Sequence, residues 1–380
     1  MKRLSVLLAM LPCLVLKAQI KNETFESFKL QEKREITYYI PENYSADKKY
    51  PLILVLDGEY LFDNVVANAK FYSAFRGMPE SIVVGVSQDK NGLRFDDCAF
   101  DETSGLPSDK ATQFFEFLGM ELIPYVGANY STAPFKMFVG YDITANFGNF
   151  YLFKEDSLFN AYISISPTLA PEMESRVPAR LAALEKKIFY NLIVENDNSK
   201  NTNRIKTMDA AIKQLDKESL HYYFDAYDTA DHVSIATYGV GKSMDRIFAM
   251  FKPISPQEYK ENILTMDGPV YQYLADKYST IEDLFGFKKT VELNDVMAIY
   301  AASRKKEDQE SLKSLSDLCK QAFPETMLGF YFEGEHYEQL GEPKKALRSF
   351  EKAFAMEEID FLTKEMALEK MDALKADFGY

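Results

Sequence analysis

From about residue 24 to residue 250, short apolar runs alternate with amphipathic stretches, and this alternation restricts the chain to very few architectures. "REITYYI" alternates polar and apolar residues, as an edge strand does. "PLILVLDG" is continuously apolar and ends in Asp-Gly, the pattern of a parallel strand buried on both faces. "SIVVGV", "FKMFVG", "AYISIS", "IFYNLIV" and "LHYYFDAY" follow in the same manner. Between them lie helical patterns such as "DKATQFFEFLGMELIPYV" and "TNRIKTMDAAIKQL". Strand, helix and strand in repetition predict an α/β fold, with a mostly parallel central sheet and helices on both faces. In such sheets the chemistry gathers at the carboxyl ends of the strands.

After Pro253 the strand pattern stops, and the rest reads as helix. In "FYFEGEHYEQLGEPKKALRSFEKAFAME", Gly334, Tyr337, Ala346, Phe350 and Ala353 fall at the small and aromatic positions of one tetratricopeptide repeat. The repeat's usual closing Pro is missing, and an ordinary helical hairpin with small residues at its crossing is the plainer alternative. The expected division is a signal peptide over 1–18, an α/β domain over 19–254 and an all-α tetratricopeptide-like domain over 255–380.

The signal peptide is read from "MKRLSVLLAMLPCLVLKAQ", where two basic residues precede an apolar stretch closed by Ala18. The stretch is short and broken by Pro12, so a membrane anchor is disfavoured. Export to the periplasm or the medium is expected, with no transmembrane segment. A net charge of −14 argues against binding a nucleic-acid backbone, which calls for a Lys/Arg surplus. Cys98 and Cys319 are read as buried, unpaired side chains.

The chemistry centres on "FVGYDITANF", which follows an apolar strand and opens a helix. Many hydrolases carry G-x-S-x-G here, with the serine as nucleophile. Gly140 is present, but Asp142 takes the serine's place and Thr144 that of the second glycine.

The region from about 35 to 250 resembles the putative-esterase family of α/β-hydrolases, which includes esterase D and proteins like ferric enterobactin esterase. The resemblance rests on "YPLILVLDGEYLF", "SIVVGVSQDKNGLRFDD", "FFEFLGMELIPYVGANYST", "FNAYISISPTL" and "ADHVSIATYGVGKSMDRIF", in the family's order and spacing. It implies an α/β-hydrolase fold and carboxylic ester hydrolysis by a Ser-His-Asp/Glu triad, without metal or cofactor. Carried onto this sequence, it places the base at His232 and the acid at Asp197, with Glu195 second. The oxyanion donors fall on the backbone of Glu59 and Ile143. His221 and His336 lack such a context and read as structural. "YGVGKS" reads as a capping or packing segment and not as a phosphate loop.

Asp142 is a poor substitute for serine on an ester. Attack would give a mixed anhydride, whose carboxylate leaves more readily than the alkoxide, so the intermediate reverts. Thr144 is expected to crowd a turn that favours a small residue. The favoured expectation is an impaired or non-catalytic site acting in binding of an unidentified ligand or ester, or of a protein partner through the helical domain. Two alternatives stay open. One is a hydrolase using Asp142 as nucleophile or general base with His232. The other is an esterase whose nucleophile lies elsewhere, at Ser164, Ser166 or Ser234.

Overall fold

The computed structural model describes residues 20–88 and 92–379, so the expected signal peptide lies outside the described residues. No helix among the described residues is long and apolar enough to cross a membrane. The chain forms two compact units whose segments interleave in sequence. The first takes in the chain up to Ala67, Glu80–Thr132 and Lys136–Val240; the second takes in Asn68–Pro79, Ala133–Phe135 and Gly241–Tyr380.

The first unit is built on an eight-stranded sheet. Its strands are β1 (Ile20–Ser27), β2 (Glu32–Tyr39), β3 (Tyr50–Val55), β4 (Ile82–Val86), β5 (Thr132–Tyr141), β6 (Ala161–Ile165), β7 (Ile188–Glu195) and β8 (Leu220–Tyr227). They lie in the order β1-β2-β4-β3-β5-β6-β7-β8. β1 and β2 pair antiparallel, as do β2 and β4, and every other pair is parallel. β3, β4, β6 and β7 are buried along their whole length. That is why they read as unbroken apolar runs, since both faces must be covered.

"REITYYI" is not the edge. β2 is flanked by β1 and β4, and the edge belongs to β1, "IKNETFES". β1 is mostly polar and largely exposed, and so gives a weak strand signal.

The helices of this unit begin with α1 (Gly58–Phe75), which runs on into the second unit's Asn68–Pro79 segment, then α2 (Leu93–Cys98), α3 (Asp109–Glu116), α4 (Ile123–Asn129), α5 (Ile143–Asn149), α6 (Met173–Ala183), α7 (Lys200–Lys213) and α8 (Ile235–Tyr238). A π-helical stretch, Phe117–Leu122, joins α3 to α4 just before Pro124, whose missing N–H cannot sustain the ordinary ladder. Under the sheet lies an aromatic core including Phe114, Phe117, Phe138, Phe147, Tyr151, Phe159 and Tyr162. Each such ring, fully buried, contributes about 1.5–3 kcal/mol.

The register aligns the carboxyl ends that matter. Val55 pairs with Val139, Tyr141 with Ile165, Ile165 with Ile193, and Glu195 with Tyr227. Asp57, Asp142, Ser166, Glu195 and His232 thus leave neighbouring strands at the same end of the sheet.

The second unit is helical from α9 (Val240–Ile247) onward, through α10 (Pro256–Glu258), α11 (Tyr271–Phe285), α12 (Leu293–Lys306), α13 (Gln309–Ala322), α14 (Leu328–Gln339), α15 (Pro343–Phe354) and α16 (Lys364–Phe378). Its core includes Leu274, Val296, Leu315, Phe332, Ala346 and Phe350. Gly334 of α14 faces the Phe350 ring of α15 so closely that a Cβ there would stand 2.5 Å from it. Cys98 and Cys319 are both free and buried.

Candidate active site

The turn between β5 and α5 has the shape of a nucleophile elbow. Asp142 sits at φ 58°, ψ −122°, a backbone region that side chains other than glycine enter only when their surroundings force it. Three backbone bonds do the forcing. Asp142 N–H donates to Ile165 O at 2.8 Å, and Asp142 O accepts from Thr168 N at 3.1 Å and from Asn146 N at 3.2 Å. Gly140 lets the helix fold back on its strand. A Cβ there would lie 2.8 Å from Thr144 O and 2.9 Å from Ala145 N.

Thr144 does not crowd this turn. Its hydroxyl is fully buried and satisfied, accepting from Tyr141 N at 2.9 Å and lying 2.8 Å from both Asp57 Oδ2 and Tyr141 O. A glycine would leave those groups without this partner.

Arg94 of α2 ties the elbow together. Its Nε and Nη2 donate to the two Asp57 oxygens at 2.5 and 3.3 Å, Nη1 donates to Asp142 Oδ2 at 3.0 Å, and Nη2 also reaches Tyr141 O at 3.0 Å. Burial alone would lower the guanidinium's pKa; the Asp57 and Asp142 carboxylates outweigh it and hold it above its ordinary value. The second Asp142 oxygen, Oδ1, accepts from the Thr168 hydroxyl. Both carboxylate oxygens are therefore engaged.

His232 lies in the loop between β8 and α8. Its Nδ1 is 2.8 Å from Glu195 Oε1 and 3.3 Å from Ser166 Oγ, while Nε2 faces Asp142 Oδ1 at 3.9 Å. Tyr141, directly before the elbow residue, donates its hydroxyl to His232 O at 2.7 Å and braces the loop.

Of the two candidate acids, Glu195 meets the histidine and Asp197 does not. Strand β7 continues to Glu195, still paired with Tyr227, so the acidic group that reaches His232 is the strand's last residue. Asp197 lies beyond it and turns to the approach of α7, accepting from Ser199 N at 3.0 Å. Hydrogen bonds from Thr202 and Ser199 hold its carboxyl below the ordinary value.

Glu59 and Ile143 stand in the first turns of α1 and α5, where backbone N–H groups point beyond the helix end. The Glu59 carboxylate accepts from Gln88 N at 3.0 Å.

Ser166 approaches His232 from the Nδ1 side and is fully buried, at φ 42°. Ser164 is buried, and Ser234 bonds within its own turn to Asp231. His221 stacks on Phe189, with ring centroids 4.4 Å apart, and His336 Nδ1 lies 2.8 Å from Gln309 O. Gly239 of "YGVGKS" packs on Ile193. Sequence reasoning did not single out Asp57, Arg94, Tyr141 or Thr168. Arg94 carried a signal, an arginine three residues before an aspartate in the loop after a buried strand.

The strand order, the elbow and the acid–histidine pair at the sheet's carboxyl end define an α/β-hydrolase. Residues 27–179 match the family described as putative esterase. A crystallised, uncharacterised protein from Capnocytophaga ochracea DSM 7271 is 33% identical over 94% of this chain and 100% of its own, with a TM-score of 0.88. The chain belongs to the putative-esterase family. An IroE-like serine hydrolase from Shewanella oneidensis is 20% identical, covering 80% of this chain and 99% of its own at a TM-score of 0.61. The BES protein from Bacillus cereus is 18% identical, covering 65% and 99% at 0.53. These last two share the fold. No curated protein matches the chain in sequence.

Proposed function

We propose that this protein does not perform serine-type ester hydrolysis and that its elbow region binds a small-molecule ligand. One observation carries the reading: both Asp142 oxygens are committed, Oδ2 to Arg94 at 3.0 Å and Oδ1 to the Thr168 hydroxyl. A carboxylate paired with a guanidinium is a weakened nucleophile, and on an ester its product would revert. The test is exposure of the purified protein to a fluorophosphonate and to a panel of esters. Neither labelling nor turnover is expected, and Asp142→Ser alone restores neither, since Thr144 and Arg94 keep the elbow in its present bonding. Labelling of any serine in the unsubstituted protein would overturn the reading.

A second reading has an observation of its own. The elbow keeps its strained backbone, and Glu195 and His232 keep the acid–base pair that would activate water. Asp142 would then attack a saturated carbon, displacing that carbon's leaving group as an anion, and the ester so formed would be cleaved by His232-activated water to an alcohol and the free carboxylate. Turnover in ¹⁸O-water would leave heavy oxygen in the Asp142 peptide, and its absence under turnover conditions rules the reading out. Export, and a protein partner for the tetratricopeptide-like helices, belong to the same proposal. They are supported by the basic-then-apolar N-terminal sequence and by the Gly334–Phe350 helix crossing.

A further inference from the structure

The gap between Asp142 and His232 has a chemistry that selects its occupant. Nε2 and Oδ1 stand 3.9 Å apart, beyond direct hydrogen bonding but within reach of one bridging group. Nδ1 faces the Glu195 carboxylate, which can only accept, so in the neutral tautomer Nδ1 holds the hydrogen and Nε2 is an acceptor. Asp142 Oδ1 is an acceptor as well, with a lone pair left after Thr168 has taken its share. A group seated against both atoms must bring two hydrogens. Carboxylate and carbonyl oxygens cannot do so, whereas water and a protonated primary amine both can, and charge decides between them.

Charge points the same way. Three carboxylates meet one guanidinium and one imidazole: Asp57 and Asp142 share Arg94, and Glu195 faces His232. Glu195 is buried, its Oε1 meets His232, and its Oε2 has no hydrogen-bond partner among the described residues. Large hydrophobic side chains stand exposed beside the site residues in the chain. Tyr60, Phe95 and Val233 are 69%, 62% and 79% exposed, and each adjoins a site residue in sequence: Glu59, Arg94 and His232. Flat groups follow one another at the site. The Arg94 guanidinium lies 5.8 Å from the Phe95 ring and 5.7 Å from the Tyr141 ring, which is 5.2 Å from His232.

We propose that this site binds a primary amine carried on an apolar body, with the ammonium bridging Asp142 Oδ1 and His232 Nε2. The proposal rests on the reading that the site binds its ligand without turning it over. Calorimetric titration of the full chain with phenethylamine, phenethyl alcohol, phenylacetate and trimethylated phenethylammonium tests it. Phenethylamine should bind about tenfold or more tighter than the alcohol, the gain of a charge-assisted hydrogen bond. The trimethylated compound keeps the charge but has no N–H, and should lose about tenfold as well. Asp142→Asn should remove the preference for the amine, with thermal unfolding showing that the variant is folded. Phe95→Ala should weaken every compound that binds without changing their ranking. Phenylacetate binding as well as the amine, equal binding of the trimethylated compound, or no binding of any of the four overturns the proposal. Fluorophosphonate labelling is a separate readout and sinks the non-catalytic reading whatever the amine does.

Discussion

Arg94 is the residue on which the elbow's electrostatics turn. Removing it leaves Asp57, which is fully buried, without its bidentate partner, and frees Asp142 of its strongest contact. Breaking a buried pair from one side costs about 3–5 kcal/mol. Arg94→Ala should therefore lower the denaturant midpoint markedly, and Arg94→Lys should recover only part, because an ammonium cannot span two carboxylates and the Tyr141 carbonyl as a planar fork does. Equilibrium urea unfolding of the two variants checks both statements. Tyr141 acts on a smaller scale. Tyr141→Phe removes one bond to the His232 carbonyl and should cost about 0.5–1.5 kcal/mol. Faster amide exchange confined to the loop around residue 232 is the expected signature.

At the scale of elements, the elbow depends on how closely β5 and α5 approach. Gly140→Ala would drive a Cβ into the backbone of Thr144 and Ala145, which cannot move aside as a side chain could. A loss of about 1–3 kcal/mol is expected from such overpacking, measurable by thermal unfolding. Much of this level was legible in the sequence. The buried strands announce themselves because both faces must be apolar, and the elbow was located by the strand that ends at Gly140. What escaped was set by neighbours distant in sequence. β1 is polar, and only its pairing with β2 makes it a strand. The choice between Glu195 and Asp197 depends on where β7 stops pairing with β8, which no local pattern encodes. Thr144 read as an intruder because its partners, Asp57 and the Tyr141 backbone, are brought to it only by the fold.

At the scale of the whole molecule, a cut at residue 254 does not separate the two units. The Phe135 ring lies tilted against Phe285 at 4.6 Å and Phe248 at 5.8 Å, all within the second unit. The Gly77 backbone lies against Phe251 O in the same unit. A fragment spanning 255–380 lacks Phe135, Phe248 and Phe251, and so loses three of the rings that pack on Phe285 and keeps Phe287. Expressed alone, it should keep helical circular dichroism but unfold with a shallow, weakly cooperative transition, in contrast to the full chain. A sharp two-state transition for the fragment would show that those rings are dispensable.

The interleaving of the two units also has a consequence in time. A ribosome makes residues 68–79 and 133–135 long before it makes residues 248–286, which they pack with. Until then the nascent chain carries apolar segments with no destination, a state that chaperones recognise. Late closure of the second unit's core thus leaves that unit unfinished for most of the chain's synthesis.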